Sequence, residues 1–178
     1  TQLPQFLADA GWTAGGGRVA CTQPRRVACQ TVALRVAQEA AQESAAEAGL
    51  PAPTLLAVTV LTSLDRGDLD DLGFACDVER LVLSRARRAL EAGCDGVISS
   101  GLEAPLLRNE IDHRLLVVTP GIRPVENRLS DDQKRTVDVA QAFANGADYI
   151  VVGRPIRNAA DPRQAAADIQ RTIVGAIG

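Results

Sequence analysis

Four apolar runs of the sequence end in small, hydroxyl-bearing or turn-forming residues, which are the residue types that bind anions and polar ligands. These ends are Thr62-Ser63, Ser99-Ser100-Gly101, Thr119-Pro120-Gly121 and Gly153-Arg154-Pro155. Glycine lets a backbone N–H come close to a ligand, and a guanidinium offers a planar fork of donors that suits phosphate or carboxylate. Gly153 and Arg154 are therefore candidates for phosphate binding. The open alternative is a turn with a solvated arginine.

Parallel strands and helices must position these four ends. From about residue 54, an apolar β-branched run, a turn and an amphipathic helix alternate, which is typical of parallel β/α architecture. The pattern predicts strands at 55–62, 96–100, 115–119 and 149–153, and helices at 78–92, 103–108, 137–145 and 162–177. Because ligands bind beyond the carboxyl ends of parallel strands, we expect all four turns on one rim of the sheet.

The first fifty residues follow a different pattern. A short strand is predicted at 18–22 and one long, alanine-rich helix at 24–48, which adds a further N-terminal βα unit. Short connections place sequential strands side by side, so all five strands should be parallel and pair in chain order. Gly93 and Gly146 are expected to end helices, and Asp161 to cap the last helix.

Composition excludes several classes of protein. The 178 residues are 46% hydrophobic and 23% charged, as in a globular domain with a sizeable core, and unlike a disordered chain or a coiled coil. A net charge of −3 gives no general attraction to nucleic acid or anionic membrane. No signal peptide or membrane span is visible, so a cytoplasmic protein is predicted. The four cysteines are too widely spaced for a zinc knuckle, and no metal site is predicted.

Five blocks of sequence are more specific than these patterns. They are AVTVLTSLD (57–65), GCDGVISSGLEA (93–104), VTPGIRP (118–124), DDQKR (131–135) and GADYIVVGRPI (146–156). In this order and spacing they resemble the second half of bacterial orotidine 5′-phosphate decarboxylase, over about residues 50–178. The resemblance implies strands five to eight of a TIM barrel. It also implies decarboxylation of orotidine monophosphate to uridine monophosphate, in pyrimidine biosynthesis, without metal or organic cofactor.

The resemblance implies a role for five residues in binding a nucleoside monophosphate. Thr62 matches the hydroxyl residue that hydrogen-bonds the pyrimidine at the end of strand five. Arg123 lies in the loop that contacts the phosphate, and Gln133 matches the glutamine that bridges base and phosphate. Gly153 and Arg154 match the turn that binds the phosphate through backbone N–H and guanidinium.

The residues that perform the chemistry in that family have no match here. The family uses an alternating Lys-Asp-Lys-Asp network on its second and third strands, with one Asp supplied by the other subunit of a dimer. This chain has a single lysine, Lys134, among 19 basic residues. Lys134 belongs to the DDQKR block, where the family has a basic residue that is not the proton donor. No catalytic residue is therefore assigned, and we expect the chain on its own to be inactive.

The N-terminal segment has a second resemblance. The stretches TQLPQFLADAGWT (1–13) and VACTQPRRVA (19–28) are similar to a DEAH-box RNA helicase over about the first 36 residues. By this match, Thr22, Arg25 and Arg26 would contact the RNA backbone. The Walker A loop and the Asp-Glu-Ala-His motif are absent from the sequence, so nucleotide hydrolysis and nucleic-acid binding are not expected.

Together these features predict a joined chain, with a helicase-like segment at 1–49 and a decarboxylase-like half-barrel at 50–178. A partial barrel leaves open sheet edges, which favours a homodimer. Two alternatives stay open, a non-catalytic phosphate- or nucleotide-binding module and a fragment of a helicase. Glu103 is predicted to be a residue of a first helical turn, and Asp65 to lead into a helix.

Overall fold

The computed structural model of the chain describes residues 30–123 and 134–177. Four strands and seven helices alternate along them. The elements in chain order are α1 (Gln30–Glu47), β1 (Leu56–Val58), α2 (Arg66–Asp71), α3 (Val78–Glu91), β2 (Gly96–Ile98), α4 (Ala104–Glu110), β3 (Leu116–Thr119), α5 (Val139–Ala144), β4 (Tyr149–Ile150), α6 (Arg154–Arg157) and α7 (Pro162–Ile177).

The four strands form one parallel sheet in the order β1-β2-β3-β4. Ala57 lies opposite Val97, which lies opposite Val117, and Val118 lies opposite Tyr149. Each strand is followed by a helix that returns the chain to the amino end of the next strand, as parallel pairing requires. The predicted order and direction of the last four strands are confirmed, whereas the strand predicted at 18–22 lies outside the described residues.

The helix ends agree with the signals in the sequence. Gly93 and Gly146 follow α3 and α5 with φ of +84° and +98°, a left-handed conformation that favours glycine. Asp161 caps α7 by accepting a hydrogen bond of 2.9 Å from the backbone N–H of Gln164. These boundaries were predictable because a helix end depends on residues only a few positions apart.

Two apolar clusters hold helices against the sheet. In the first, Val97 and Val117 of the strands pack with buried residues of α3 and α4, including Val82, Ala86 and Leu107. In the second, Ile122 and residues of α5 form a buried group, against which Ile169 and Ile173 of α7 pack. The amphipathic helices thus bury their apolar faces on the sheet, so the carboxyl ends of the strands are held in fixed relative positions.

The structure differs from the sequence-based prediction at the strand ends. Strand β1 ends at Val58 and not at residue 62, and the predicted turn at Gly153-Arg154-Pro155 is the beginning of α6. A proline in the first turn of a helix loses no hydrogen bond, so Pro155 is compatible with this helix. Because β1 ends early and α6 begins at Arg154, the rim of the sheet is formed by the turn after β1 and by the start of α6, and not by the ends of long strands.

Neither a membrane-spanning helix nor a cluster of metal-ligating side chains is found in residues 30–123 and 134–177. None of their helices combines the length and apolarity needed to cross a bilayer. Within the same residues, no three His, Cys, Asp or Glu side chains come together as metal ligands.

Candidate functional site

The rim at the carboxyl ends of the strands carries two of the predicted site residues, Thr62 and Arg123, in neighbouring turns. Thr62 follows β1 in a turn and is buried, with 6% of its surface exposed. Its carbonyl accepts hydrogen bonds of 3.1 Å from the backbone N–H groups of both Lys134 and Arg135. The position of Thr62 therefore depends on the segment that enters α5, which is more than 70 residues further along the chain.

Arg123 lies four residues after the end of β3 and is buried, with 7% of its surface exposed. Its backbone N–H donates to Val137 O at 2.9 Å, and its guanidinium donates to Ile122 O at 2.8 Å. Gly121, two residues earlier, has φ of +76°, and a Cβ added there would lie 3.5 Å from Cβ of Thr62 and 3.2 Å from Arg135 O. The positive φ of Gly121 and the nearby Arg135 O favour glycine in this turn, which passes beside Thr62.

Gly153 and Arg154 lie on the same rim, at the end of the neighbouring strand β4. Gly153 is exposed and precedes α6, and a Cβ added to it would meet no atom within 4 Å. Arg154 is half-buried. Gln133, the remaining predicted ligand, lies outside the described residues.

The sequence analysis missed one group at this rim, the ion pair of Arg135 and Glu103. Nη1 of Arg135 lies 2.6 Å from Oε1 of Glu103, and the two side chains are only 9% and 5% exposed. The other donors of the guanidinium bind the carbonyls of Val60, Leu61 and Leu64 at 2.9–3.1 Å. Arg135 therefore connects the turn after β1 with the turn after β2.

A signal for this pair was present in the sequence. Glu103 stands in the stretch GLEAPLL, where an acid among apolar residues needs a partner if the stretch is buried. The structure places Glu103 at the N-cap of α4, one residue before the first helical turn in which it was predicted. Burial raises the pKa of Glu103, an effect that the neighbouring Arg135 opposes. Which of the eighteen arginines would be the partner could not be read from the sequence.

The side chain of Lys134, the residue before Arg135, lies at the protein surface. Its Nζ is 2.8 Å from Oδ2 of Asp65 and 2.7 Å from Oδ2 of Asp68. Asp65 caps α2, as expected for a residue that leads into a helix. The hydrogen bond from Lys134 is the main cause that lowers the pKa of Asp65 to about 2, and the two carboxylates raise the pKa of Lys134. The ammonium group is thus engaged at the surface, with 45% of the side chain exposed.

Known sequences support the decarboxylase resemblance. The chain is 77% identical over 119 residues to orotidine 5′-phosphate decarboxylase of Methylococcus capsulatus, an alignment that covers 67% of this chain and 49% of the relative. It is 50% identical over 123 residues to the orotidine 5′-phosphate decarboxylase of Nitrobacter winogradskyi, covering 69% of this chain and 51% of the relative. The chain thus spans about half the length of these curated relatives.

Solved structures show the same architecture. The orotidine 5′-phosphate decarboxylase of Lactobacillus acidophilus superposes with a TM-score of 0.66 at 28% identity, over 96% of this chain and 80% of that one. The protein of that name from Pyrococcus horikoshii has a TM-score of 0.61 at 21% identity, over 94% of this chain and 79% of that one, which shows the fold alone.

The family model for orotidine 5′-phosphate decarboxylase / HUMPS matches residues 27–169, well over half of the chain. This range includes every described residue of the rim. Neither a helicase fragment nor a non-catalytic phosphate- or nucleotide-binding module is favoured by these matches. The preceding helicase-like stretch falls largely outside both the matched range and the described residues. The chain belongs to the orotidine 5′-phosphate decarboxylase / HUMPS family.

Proposed function

We propose that this chain provides the nucleoside monophosphate-binding part of an orotidine 5′-phosphate decarboxylase, an enzyme of pyrimidine biosynthesis. The observation that carries the proposal is the closeness of Thr62 to Gly121 at the rim, where a Cβ added to Gly121 would lie 3.5 Å from Cβ of Thr62, with the buried Arg123 two residues further along. This arrangement joins a hydroxyl suited to the base with an arginine suited to the phosphate. In the proposal, strands β1 to β4 correspond to strands five to eight of the barrel.

At the base end of the site, Thr62 hydrogen-bonds the pyrimidine. Its burial supports this role, because Cβ and the methyl group of Thr62 face the turn after β3, and a side chain buried in this way can be held at a defined position. The matched relatives, named orotidine 5′-phosphate decarboxylases, supply the substrate class.

At the phosphate end, Arg123, Gly153 and Arg154 bind the phosphate, and Gln133 bridges phosphate and base. The open space at Gly153 supports close approach of a ligand to the backbone. The loops after the last two strands are where TIM barrels commonly bind phosphate.

The finer features expected from the sequence stay part of this proposal. They are the division at residues 1–49 and 50–178, the half-barrel lacking the catalytic lysine and aspartate network, the independence from metal and cofactor, and the cytoplasmic location. On this proposal, the chemical step needs residues that complete the barrel, and the present chain contributes recognition of the nucleotide.

Substitution Arg154→Ala should weaken binding of uridine monophosphate by about tenfold to a hundredfold. A hydrogen bond to a charged group contributes about 1.5–3 kcal/mol, and 1.4 kcal/mol corresponds to tenfold in Kd. Isothermal titration calorimetry with the whole chain measures the change. The matched control is Arg157→Ala, at the other end of α6, where the exposed guanidinium donates to Oδ1 of Asn158 at 3.1 Å. Equal affinities for the Arg154→Ala variant and the parent chain would remove Arg154 from the site.

We further propose that the chain forms a homodimer. Tyr149 and Val151, at and just after β4, are 60% and 51% exposed, and within the described residues β4 pairs only with β3. An edge strand with exposed apolar side chains favours association. Light scattering at micromolar concentration should give twice the chain mass of 18.7 kDa. The same mass for a Tyr149→Lys variant would place the dimer contact elsewhere, and a monomeric parent chain would refute the dimer.

A further inference from the structure

We propose that Arg135 is a positioning residue that fixes Thr62 for recognition of the base. The inference rests on the proposed function, because it concerns how the pyrimidine end of that site is held. It assigns a role in ligand selection to a side chain that is buried and does not itself reach the ligand.

The side chain of Arg135 binds backbone carbonyls both before and after Thr62 in the sequence. Its Nη2 donates to Val60 O at 3.1 Å and Leu61 O at 2.9 Å, just before Thr62, and its Nε donates to Leu64 O at 2.9 Å, just after it. The backbone N–H of Arg135 donates to Thr62 O itself at 3.1 Å. One residue thus binds carbonyls on both sides of Thr62 and that of Thr62 itself.

Glu103 determines where the guanidinium lies. Its Oε1 accepts from Nη1 of Arg135 at 2.6 Å, and Glu103 is fixed in turn at the N-cap of α4. Ser100, after β2, also donates from Oγ to Arg135 O at 3.3 Å. The turn that carries Thr62 is therefore held relative to β2, which is the neighbour of both β1 and β3.

Only an arginine can make this set of contacts. Its five N–H donors lie in one plane and point in fixed directions, so three carbonyls and a carboxylate can be bound at once. A lysine at this position could keep the ion pair with Glu103, but its single ammonium cannot reach carbonyls on both sides of Thr62. Arg135→Lys is therefore expected to loosen the turn while it preserves the buried charge.

The test compares two ligands, uridine monophosphate and ribose 5-phosphate, with the whole chain and its Arg135→Lys variant. Ribose 5-phosphate lacks the base, so the position of Thr62 should affect the Kd for uridine monophosphate and not the Kd for ribose 5-phosphate. We expect Arg135→Lys to raise the Kd for uridine monophosphate about threefold to tenfold, which corresponds to one neutral hydrogen bond, and to leave the Kd for ribose 5-phosphate unchanged. Thr62→Val should do the same, and the double variant should be no weaker than either single variant.

The matched control is Arg108→Lys, at the opposite rim. Arg108 also binds backbone carbonyls, those of His113, Leu115 and Gly146, and it pairs with Asp148. Its replacement should lower the melting temperature and alter neither Kd, which separates a loss of stability from a loss of positioning.

Should Arg135→Lys be too unstable to titrate, Glu103→Gln replaces it, with the same expected pattern.

Each outcome has a distinct meaning. The positioning role would be overturned if Arg135→Lys raised the Kd equally for both ligands, or if the effects on Kd added up in the double variant. The proposed function would remain intact in either case. A parent chain that binds neither ligand would overturn the proposed function and the positioning role with it. Binding of both ligands with equal affinity would show that the base is not recognised, which refutes the role of Thr62 and hence that of Arg135.

Discussion

Arg135→Met should lower the free energy of unfolding by about 3–5 kcal/mol, the usual cost of removing one partner from a buried ion pair. Methionine fills a similar volume but offers no donor, so the carboxylate of Glu103 would stay buried, and three carbonyls would lose their hydrogen bonds. Urea denaturation followed by circular dichroism measures the change. The control is Arg114→Met, because Arg114 is 90% exposed and its pair with Asp112 should contribute at most about 1 kcal/mol.

The loss should also depend on pH, with a sign that follows from Glu103. Burial raises the pKa of Glu103 in the folded chain above its ordinary value of 4.5, and Arg135 opposes this rise. Protonation of an acid whose pKa is raised in the folded chain stabilises the folded state. The contribution of Glu103 to the free energy of unfolding therefore falls as the pH rises above the ordinary pKa. Without Arg135 the rise is larger, so the deficit of Arg135→Met should be smaller at pH 5 than at pH 8.

A second substitution tests the cause of this loss. Glu103→Gln in the Arg135→Met background removes the buried charge and keeps the shape of the side chain, so part of the lost stability should return. If the deficit is the same at both pH values and the double variant recovers nothing, the unpaired carboxylate is not its source.

The 178-residue chain on its own should not decarboxylate orotidine monophosphate above the uncatalysed rate. Loss of carbon dioxide leaves a carbanion, which needs a positioned cation to stabilise it and a proton donor to quench it. Preorganised electrostatic stabilisation of this kind usually contributes more to enzymatic rate enhancement than any other single effect. The ammonium group of the single lysine of the chain is held at the surface by the carboxylates of Asp65 and Asp68.

Loss of orotate absorbance in the purified chain measures this activity, with the full-length relative from Methylococcus capsulatus as the active control. The Lys134→Ala variant should behave as the parent chain does, because Lys134 has no part in the chemical step. Turnover by the parent chain that disappears in Lys134→Ala would contradict this account and show that the chemical step depends on Lys134.

The positions of the longer helices and of the four strands were predictable because their signals are local. The apolar runs at β2 and β3, the left-handed glycines at 93 and 146 and the cap at Asp161 each depend on a few adjacent residues. The parallel order β1-β2-β3-β4 followed from short connections between strand and helix. The strand lengths were less predictable, since a β-branched run continues past the point where its neighbour stops pairing, as after Val58.

By itself, the sequence determined the family and the βα order, and it indicated which residues are candidates for ligand binding, because these depend on residue type and on spacing along the chain. Only the tertiary structure decided which side chains meet. Arg135 binds Glu103 from 32 positions away and the carbonyl of Val60 from 75 positions away. An arginine in a polar segment is equally compatible with solvation, and its burial depends on a pocket that exists only when the ends of β1 and β2 are side by side. Hence the residues that hold the site together could not be predicted from the sequence, whereas the residues proposed to contact the ligand could be named from it.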